Sequence, residues 1–162
     1  MIKDLETIKN STESIVGNIG NIIWALNPIN NTTENLLAYL REYAYDYLEI
    51  HHIKTSFLFP LNVENILLAH EIRTHIFMVI KEALHNIVKH ANATCVSIHI
   101  AINANKFSCT ITDDGTGFSE SKKNNFGNGL RNMQQRITEI GGFLNIQSQP
   151  QKGTSLLLEV MI

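Results

Sequence analysis

Cysteine, proline and tryptophan are scarce in this 162-residue chain, which has two, three and one of them respectively. Two thiols cannot build the disulfide framework of a small secreted domain, and they fall short of a four-ligand zinc site. An excess of one charge sign is also missing: 13 Lys and Arg stand against 15 Asp and Glu, for a formal net charge of -2. That balance argues against nucleic acid or an anionic membrane as a partner, since both need a basic surface. No apolar run approaches the ~20 residues of a membrane span. Residues 1–10 carry Lys3, Asp4, Glu6 and Lys9, so they do not read as a signal peptide. What is present is ordinary for a globular protein: 44% hydrophobic and 17% charged residues, too apolar for a disordered chain. The length suits one domain with a short appendage. The expectation is a cytoplasmic-type domain cut from a longer chain.

The pattern divides the chain into residues 1–28 and 29–162. In the first part Leu5, Ile8, Thr12, Ile15, Ile19, Ile22 and Leu26 alternate spacings of three and four. That is a heptad seam interrupted by Thr12. Gly17 and Gly20 weaken the helix in isolation, so it needs a partner, and a two-chain helical bundle is expected. Asn27-Pro28 ends it, because the residue before proline is pushed out of the helical region. In the second part an approximate capping box, Asn31 to Glu34, opens a helix with the stripe Leu36, Leu37, Leu40, Tyr43 and Tyr47. A strand at 55–59, a long helix from 63 or 71 to 90, and strands at 95–102 and 107–113 follow. A polar stretch at 114–128 leads to a helix with Leu130, Met133, Ile137 and Ile140, stopped by Gly141-Gly142. Strands at 143–148 and 154–161 close the chain.

Register sharpens the middle hairpin. With Ala104-Asn105 as the turn, Ile102 faces Phe107, Ile100 faces Cys109, Ile98 faces Ile111 and Val96 faces Asp113. One face is apolar until it reaches Asp113, so a carboxylate emerges on the core side at the strand end. Such a group is expensive unless something hydrogen-bonds to it. Cys95 points away from Cys109, which disfavours a disulfide between them. On the long helix Glu82 and Asn86 are i and i+4 and share a face, with Lys89 and His90 one turn on. They border an apolar arc, where they can face a crevice between helix and sheet. One amide oxygen is enough protein for Mg²⁺ when phosphates and waters fill its other positions. Taken alone, such a stripe is more often a solvated helix edge.

The glycines add specificity. Asp113-Asp114-Gly115-Thr116-Gly117-Phe118 follows a strand, and Gly127-Asn128-Gly129-Leu130 opens a helix. Neither is a Walker loop or a dinucleotide fingerprint. Glycines before a helix still let backbone N–H groups approach an anion. Residues 118–126 read as a lid, in which Lys122 and Lys123 are expected to be solvated.

Together these residues resemble the catalytic ATP-binding domain of bacterial sensor histidine kinases, in a short-lid subfamily. Lys81-Glu82-Ala83-Leu84-His85-Asn86-Ile87-Val88-Lys89-His90-Ala91 is similar to the N box. Asp113-x-Gly115-x-Gly117 and Gly127-x-Gly129-Leu130 are similar to the two glycine boxes, and Gly153-Thr154 to the terminal Gly-Thr element. The stretch 22–28 resembles the join between dimerisation helix and catalytic domain. The resemblance implies an α+β fold, the two-layer sandwich shared with gyrase, the large heat-shock chaperone and mismatch-repair ATPases. It implies that Asp113 accepts the adenine amino group with Thr154 in support, and that Asn86 holds Mg²⁺. Lys89 and His90 would lie near the phosphates, Gly115, Gly117, Gly127, Gly129 and Leu130 would line or hinge the lid, and Glu82 would be catalytic. The activity would be transfer of the ATP γ-phosphoryl group to a histidine. The partners would be a second copy through the N-terminal helix, a cognate response regulator, and an upstream sensor and acceptor helix in a membrane-bound receptor.

The family's acceptor histidine lies on the first dimerisation helix, and the chain is expected to begin at the second. His70-Glu71 superficially resembles an acceptor box, but it lies twelve residues before Glu82 and reads better as a helix start. Two alternatives remain open: a related ATPase or serine kinase of the same superfamily, and a non-catalytic dimeric binding module.

Overall fold

The computed structural model describes residues 20, 24, 27, 31–119 and 128–162. All seven residues of the heptad seam, and Gly127, Lys122 and Lys123, lie outside them. In chain order the elements are α1 (Thr33–Ile50), β1 (Lys54–Leu58), α2 (His70–Asn86), a π-helical turn (Ile87–Ala91), β2 (Cys95–Asn103), β3 (Lys106–Asp113), α3 (Asn128–Glu139), β4 (Phe143–Ser148) and β5 (Thr154–Met161). The five strands form one sheet in the order β1-β2-β3-β5-β4. Only β1 and β2 run parallel; the other neighbours are antiparallel. The helices cover one face, giving a two-layer α/β sandwich.

The alternation of the strands builds the core. Val96, Ile98, Ile100, Phe107, Cys109 and Ile111 turn to the same face and are buried, and Leu156, Leu158 and Val160 extend it across β5. The hairpin register is the one the sequence predicts, with Val96 opposite Asp113 and Ile102 opposite Phe107. Ala104 and Asn105 adopt φ of 48° and 63°, as a tight two-residue hairpin turn demands. Against this face α2 sets Ile76, Phe77, Val79, Ile80, Ala83 and Leu84, while α1 sets Leu36, Leu40, Ala44 and Leu48. Cys109 lies within the core and Cys95 on the exposed side, both as free thiols. Burial pushes the Cys109 thiol up to about 12, so it behaves as a small hydrophobe.

Several boundaries differ from the sequence expectation. The first helix is capped by Thr32, whose hydroxyl accepts from the Asn35 N–H at 3.3 Å, and not by Asn31. The long helix begins at His70, beside the later of the two expected starts, Glu71, and not at 63. Residues 61–69 instead run as a loop tied to the start of α1: Thr33 Oγ1 donates to the Glu64 carbonyl at 2.8 Å, and the Ile66 N–H donates to Thr33 Oγ1 at 3.1 Å. Thr33 thereby satisfies loop backbone that a helix would have satisfied internally. After Asn86 the helix widens into the π turn, closed by Asn92 in the left-handed region.

One buried charge sits outside the site. Arg73 is 0% exposed, and its Nη1 donates to the Asn27 carbonyl at 3.1 Å. Its guanidinium lies 5.2 Å from the centroid of Trp24, whose ring stacks on Tyr39 at 3.8 Å and 7°. Trp24 and Asn27 are thus tied to the helical layer by Arg73, a cation over an aromatic face. Trp24 is the single tryptophan of the chain. Arg73→Met, which keeps the length of the side chain but removes its charge, should release this tie. The expected readout is a red-shifted Trp24 emission and stronger quenching by iodide, with an unchanged far-ultraviolet circular dichroism spectrum.

Candidate nucleotide-binding site

A crevice opens between the end of α2 with its π turn, the ends of β3 and β5, and the start of α3. Its empty space, open mouth included, is ≈ 670 Å³. The floor is apolar: Ala83, Ile87, Ile111, Met133, Ile146 and Leu156. The polar groups converge from two sides. Asn86 and His90 come from the helix, Asp113 and Thr154 from the sheet. Phe118 and Leu130 flank the opening.

Asp113 is 4% exposed and is the last residue of β3. Its Oδ1 accepts the Gly115 N–H at 2.9 Å. Thr154 is its partner in the β3–β5 ladder, which sets the Thr154 N–H and hydroxyl beside the carboxylate, where they favour its charged form. Burial raises the carboxyl above the ordinary carboxylate range. The Gly115 and Thr154 hydrogen bonds pull it back, and the neighbouring Asp114 charge pushes it up. The balance leaves a charge that the fold tolerates at a cost, with room in the crevice for a further donor.

The next residue behaves oppositely. Asp114 points out of the core and accepts from the Thr94 N–H at 2.8 Å, the Thr94 hydroxyl at 2.6 Å and the Cys95 N–H at 2.9 Å. Those bonds hold its carboxyl below the usual range, with the Thr94 hydroxyl first among the causes. They also fix the exit of the π turn to the end of β3, joining the two flanks of the crevice.

The glycines act mainly through space. A Cβ on Gly115 would strike the Ala91 carbonyl and Cβ, and the Thr116 N–H donates to that carbonyl at 2.7 Å. Gly117, at φ +56°, lies against the backbone of Gln149 and Gly153. A Cβ on Gly129 would collide with Glu82 Oε1. The first glycine pair therefore lets the strand end, the π turn and the β4–β5 loop meet.

The candidate residues do not all converge. Asn86, His90, Asp113, Gly117, Leu130 and Thr154 line the crevice; Glu82, Lys89, Gly115 and Gly129 stand outside its lining, and Gly127 lies outside the described residues. Glu82 sits half-buried against Gly129, and its charge is felt by Tyr47, whose phenol is raised first by burial and then by Glu82. Lys89 is exposed. The π turn (Ile87–Ala91) carries His90 and Ala91 in the lining and leaves Lys89 outside it. Sequence reasoning missed the apolar floor, because Ile111, Met133, Ile146 and Leu156 look like any other core residues in their own elements.

A helical layer over a mixed sheet, with a carboxylate buried at a strand end above an apolar crevice, defines a two-layer sandwich with a candidate ligand site at its strand ends. Residues 71–161 match the family described as histidine kinase-, DNA gyrase B- and HSP90-like ATPases, and the chain belongs to that family. Among curated relatives, the signal transduction histidine-protein kinase/phosphatase DegS of Brevibacillus brevis is 27% identical over 99% of this chain and 41% of its own length. The oxygen sensor histidine kinase NreB of Staphylococcus carnosus (strain TM300) is 26% identical over 100% of this chain and 46% of its own. The chain thus spans less than half the length of these two relatives. The fold matches the histidine kinase domain of a blue-light activated kinase from Erythrobacter litoralis, with a TM-score of 0.65 and 24% identity over 78% of this chain and 60% of that one. It is a histidine-kinase-type ATPase domain. Among the described residues no helix is long and apolar enough to cross a membrane.

The raised Asp113 carboxyl has a thermodynamic consequence. The folded protein holds this proton to higher pH than the unfolded chain, so Asp113 favours the fold most below the ordinary carboxylate range. That contribution declines as pH rises through the raised value. Urea unfolding between about pH 3.5 and 7 should show the stability of the wild type relative to Asp113→Asn falling with pH and levelling near neutrality.

Proposed function

We propose that this chain binds ATP with Mg²⁺ and serves as the catalytic domain of a two-component sensor histidine kinase. Residues 29–162 would form that domain, and residues 1–28 part of a dimerisation helix and its linker. The observation that carries the reading is the Asp113 carboxylate, buried at the sheet end and facing Asn86 across an apolar crevice. The histidine-kinase relatives support it.

The donor set suits the ligand. An ionised carboxylate only accepts hydrogen bonds, so Asp113 selects a base edge that offers an amino group. Thr154 and Gly115 hold that carboxylate in one orientation. The apolar floor takes the flat faces of the base and sheds water from them. Asn86 offers a neutral oxygen on the opposite side, suited to a hard divalent cation that keeps its remaining positions for phosphate and water. His90 stands one turn beyond it, within the lining. When bound, the nucleotide supplies the γ-phosphoryl group and the metal offsets the charge on its oxygens. The residues of the chain position these groups and exclude solvent, the main contribution a protein makes to phosphoryl transfer. Glu82 is assigned the orienting role near the acceptor nitrogen.

The acceptor is a histidine on a dimerisation helix. His70 does not suit that role: it opens α2, twelve residues and ~18 Å along the helix axis from Glu82. The domain would act within a homodimer, on behalf of a receptor that reports to a response regulator.

Titration with a non-hydrolysable ATP analogue, with and without Mg²⁺, tests binding. Asp113→Ala should abolish measurable affinity, and unchanged affinity would refute the assignment. Asn86→Ala should retain the fold and lose the Mg²⁺ dependence; a normal Mg²⁺ response would remove Asn86 from that role. Incubation with labelled ATP and a separate acceptor domain tests the transfer, and an unlabelled acceptor would leave an ATPase or a binding module instead.

A further inference from the structure

Ser148 is the last residue of β4 and belongs to none of the motifs that drew attention in the sequence. Its hydroxyl accepts the Phe118 N–H at 2.8 Å, lies 3.0 Å from Thr154 Oγ1 and lies 3.1 Å from the Gly153 carbonyl. Phe118 and Thr154 both line the crevice. Ser148 and Thr154 are also direct partners in the β4–β5 ladder, and Thr154 is the partner of Asp113 in the β3–β5 ladder. Three strand ends therefore meet in one row, with Ser148 at its outer end and Asp113 at its inner end.

Proton counting orders that row. A serine or threonine hydroxyl has one proton to donate and two lone pairs to accept with. Thr154 stands opposite Asp113 in the ladder and 3.0 Å from Ser148 Oγ, so its proton can turn to either. With it turned to the Asp113 carboxylate, Thr154 Oγ1 meets Ser148 as an acceptor, and the Ser148 proton points to Thr154 or to the Gly153 carbonyl. In the first arrangement the bonds run head to tail, from the Phe118 N–H to Ser148 to Thr154 to Asp113. Such a chain polarises each of its members. In the second arrangement Thr154 loses its donor and orients Asp113 less firmly.

We propose that Ser148 is a positioning residue of the nucleotide site, orienting Asp113 through Thr154 while pinning the Phe118 backbone at the crevice mouth. The inference rests on the nucleotide reading of the crevice. It adds a residue from the edge strand β4, two strands from Asp113, one whose side chain would touch no ligand atom.

The test compares wild type, Ser148→Ala, Ser148→Thr and Ser155→Ala. Ser155 contacts Thr112 at 3.1 Å on the exposed sheet face, so its variant controls for loss of a hydroxyl in the same strand pair. Two quantities are read: affinity for a Mg²⁺-bound, non-hydrolysable ATP analogue, and the hydrogen-exchange rate of the Phe118 amide by NMR. Ser148→Ala should weaken affinity about three- to tenfold, the loss of one or two modest hydrogen bonds. It should also speed Phe118 exchange about tenfold or more. Ser148→Thr and Ser155→Ala should stay within about twofold of wild type in both. Unchanged affinity or unchanged Phe118 exchange in Ser148→Ala would overturn the proposal, as would failure of Ser148→Thr to rescue. If Ser148→Ala does not fold, Phe118 protection in the wild type decides: exchange there at the rate of an open amide overturns the proposal. A wild type that binds no nucleotide would instead remove the reading of the crevice, whatever Phe118 does.

Discussion

The structure is organised around a carboxylate placed where the core would otherwise have an aliphatic side chain. Asp113 continues the inward row of Phe107, Cys109 and Ile111 and is nearly as buried as they are. A charge in that place costs several kcal/mol unless donors surround it. The neighbouring chain is shaped to bring them. Gly115 turns back so closely on Ala91 that no side chain fits, and this turn delivers its N–H to Asp113. Thr154 is set opposite by the ladder, and Gly153 passes against the Asp113 backbone at φ +73°. Glycine at 115 and 153 is thus a packing requirement of the carboxylate's surroundings.

Two adjacent aspartates divide the work by direction. Alternation along β3 sends Asp113 to the core and Asp114 to the outside. The first is left with capacity for a ligand donor, and the second spends its lone pairs on the backbone of Thr94 and Cys95. The outer clamp stiffens the floor on which the inner group stands. The π turn belongs to the same design. From it His90 and Ala91 reach the crevice, and the Ala91 carbonyl accepts the Thr116 N–H.

In the helical layer, Arg73 ties Asn27 and Trp24 to α2 through a hydrogen bond to the Asn27 carbonyl and a contact with the Trp24 ring face. The aromatic contacts continue from Tyr39 to Tyr43 and Tyr47, with Phe77 packed beneath the first two. Tyr47 feels the charge of Glu82. A row of rings therefore leads along α1 from this tie to the carboxylate assigned the orienting role.

Local pattern determined much of this protein. Period-two alternation fixed the hairpin register around Ala104-Asn105 and placed Asp113 inward, because a slip of one residue would have turned Ile98, Ile100 and Ile111 to water. Period 3.6 marked α1, the body of α2 and α3, and four motifs in order marked the family. Tertiary structure decided what no local pattern encodes. Thr33 captured residues 64–66 as a loop, Thr32 took the cap, and of Lys89 and His90 only the second reached the crevice. The apolar floor was assembled from residues distant in sequence. Burial depends on what stands opposite a residue, and the hydroxyl row from Ser148 to Asp113 exists only because three strand ends were brought side by side.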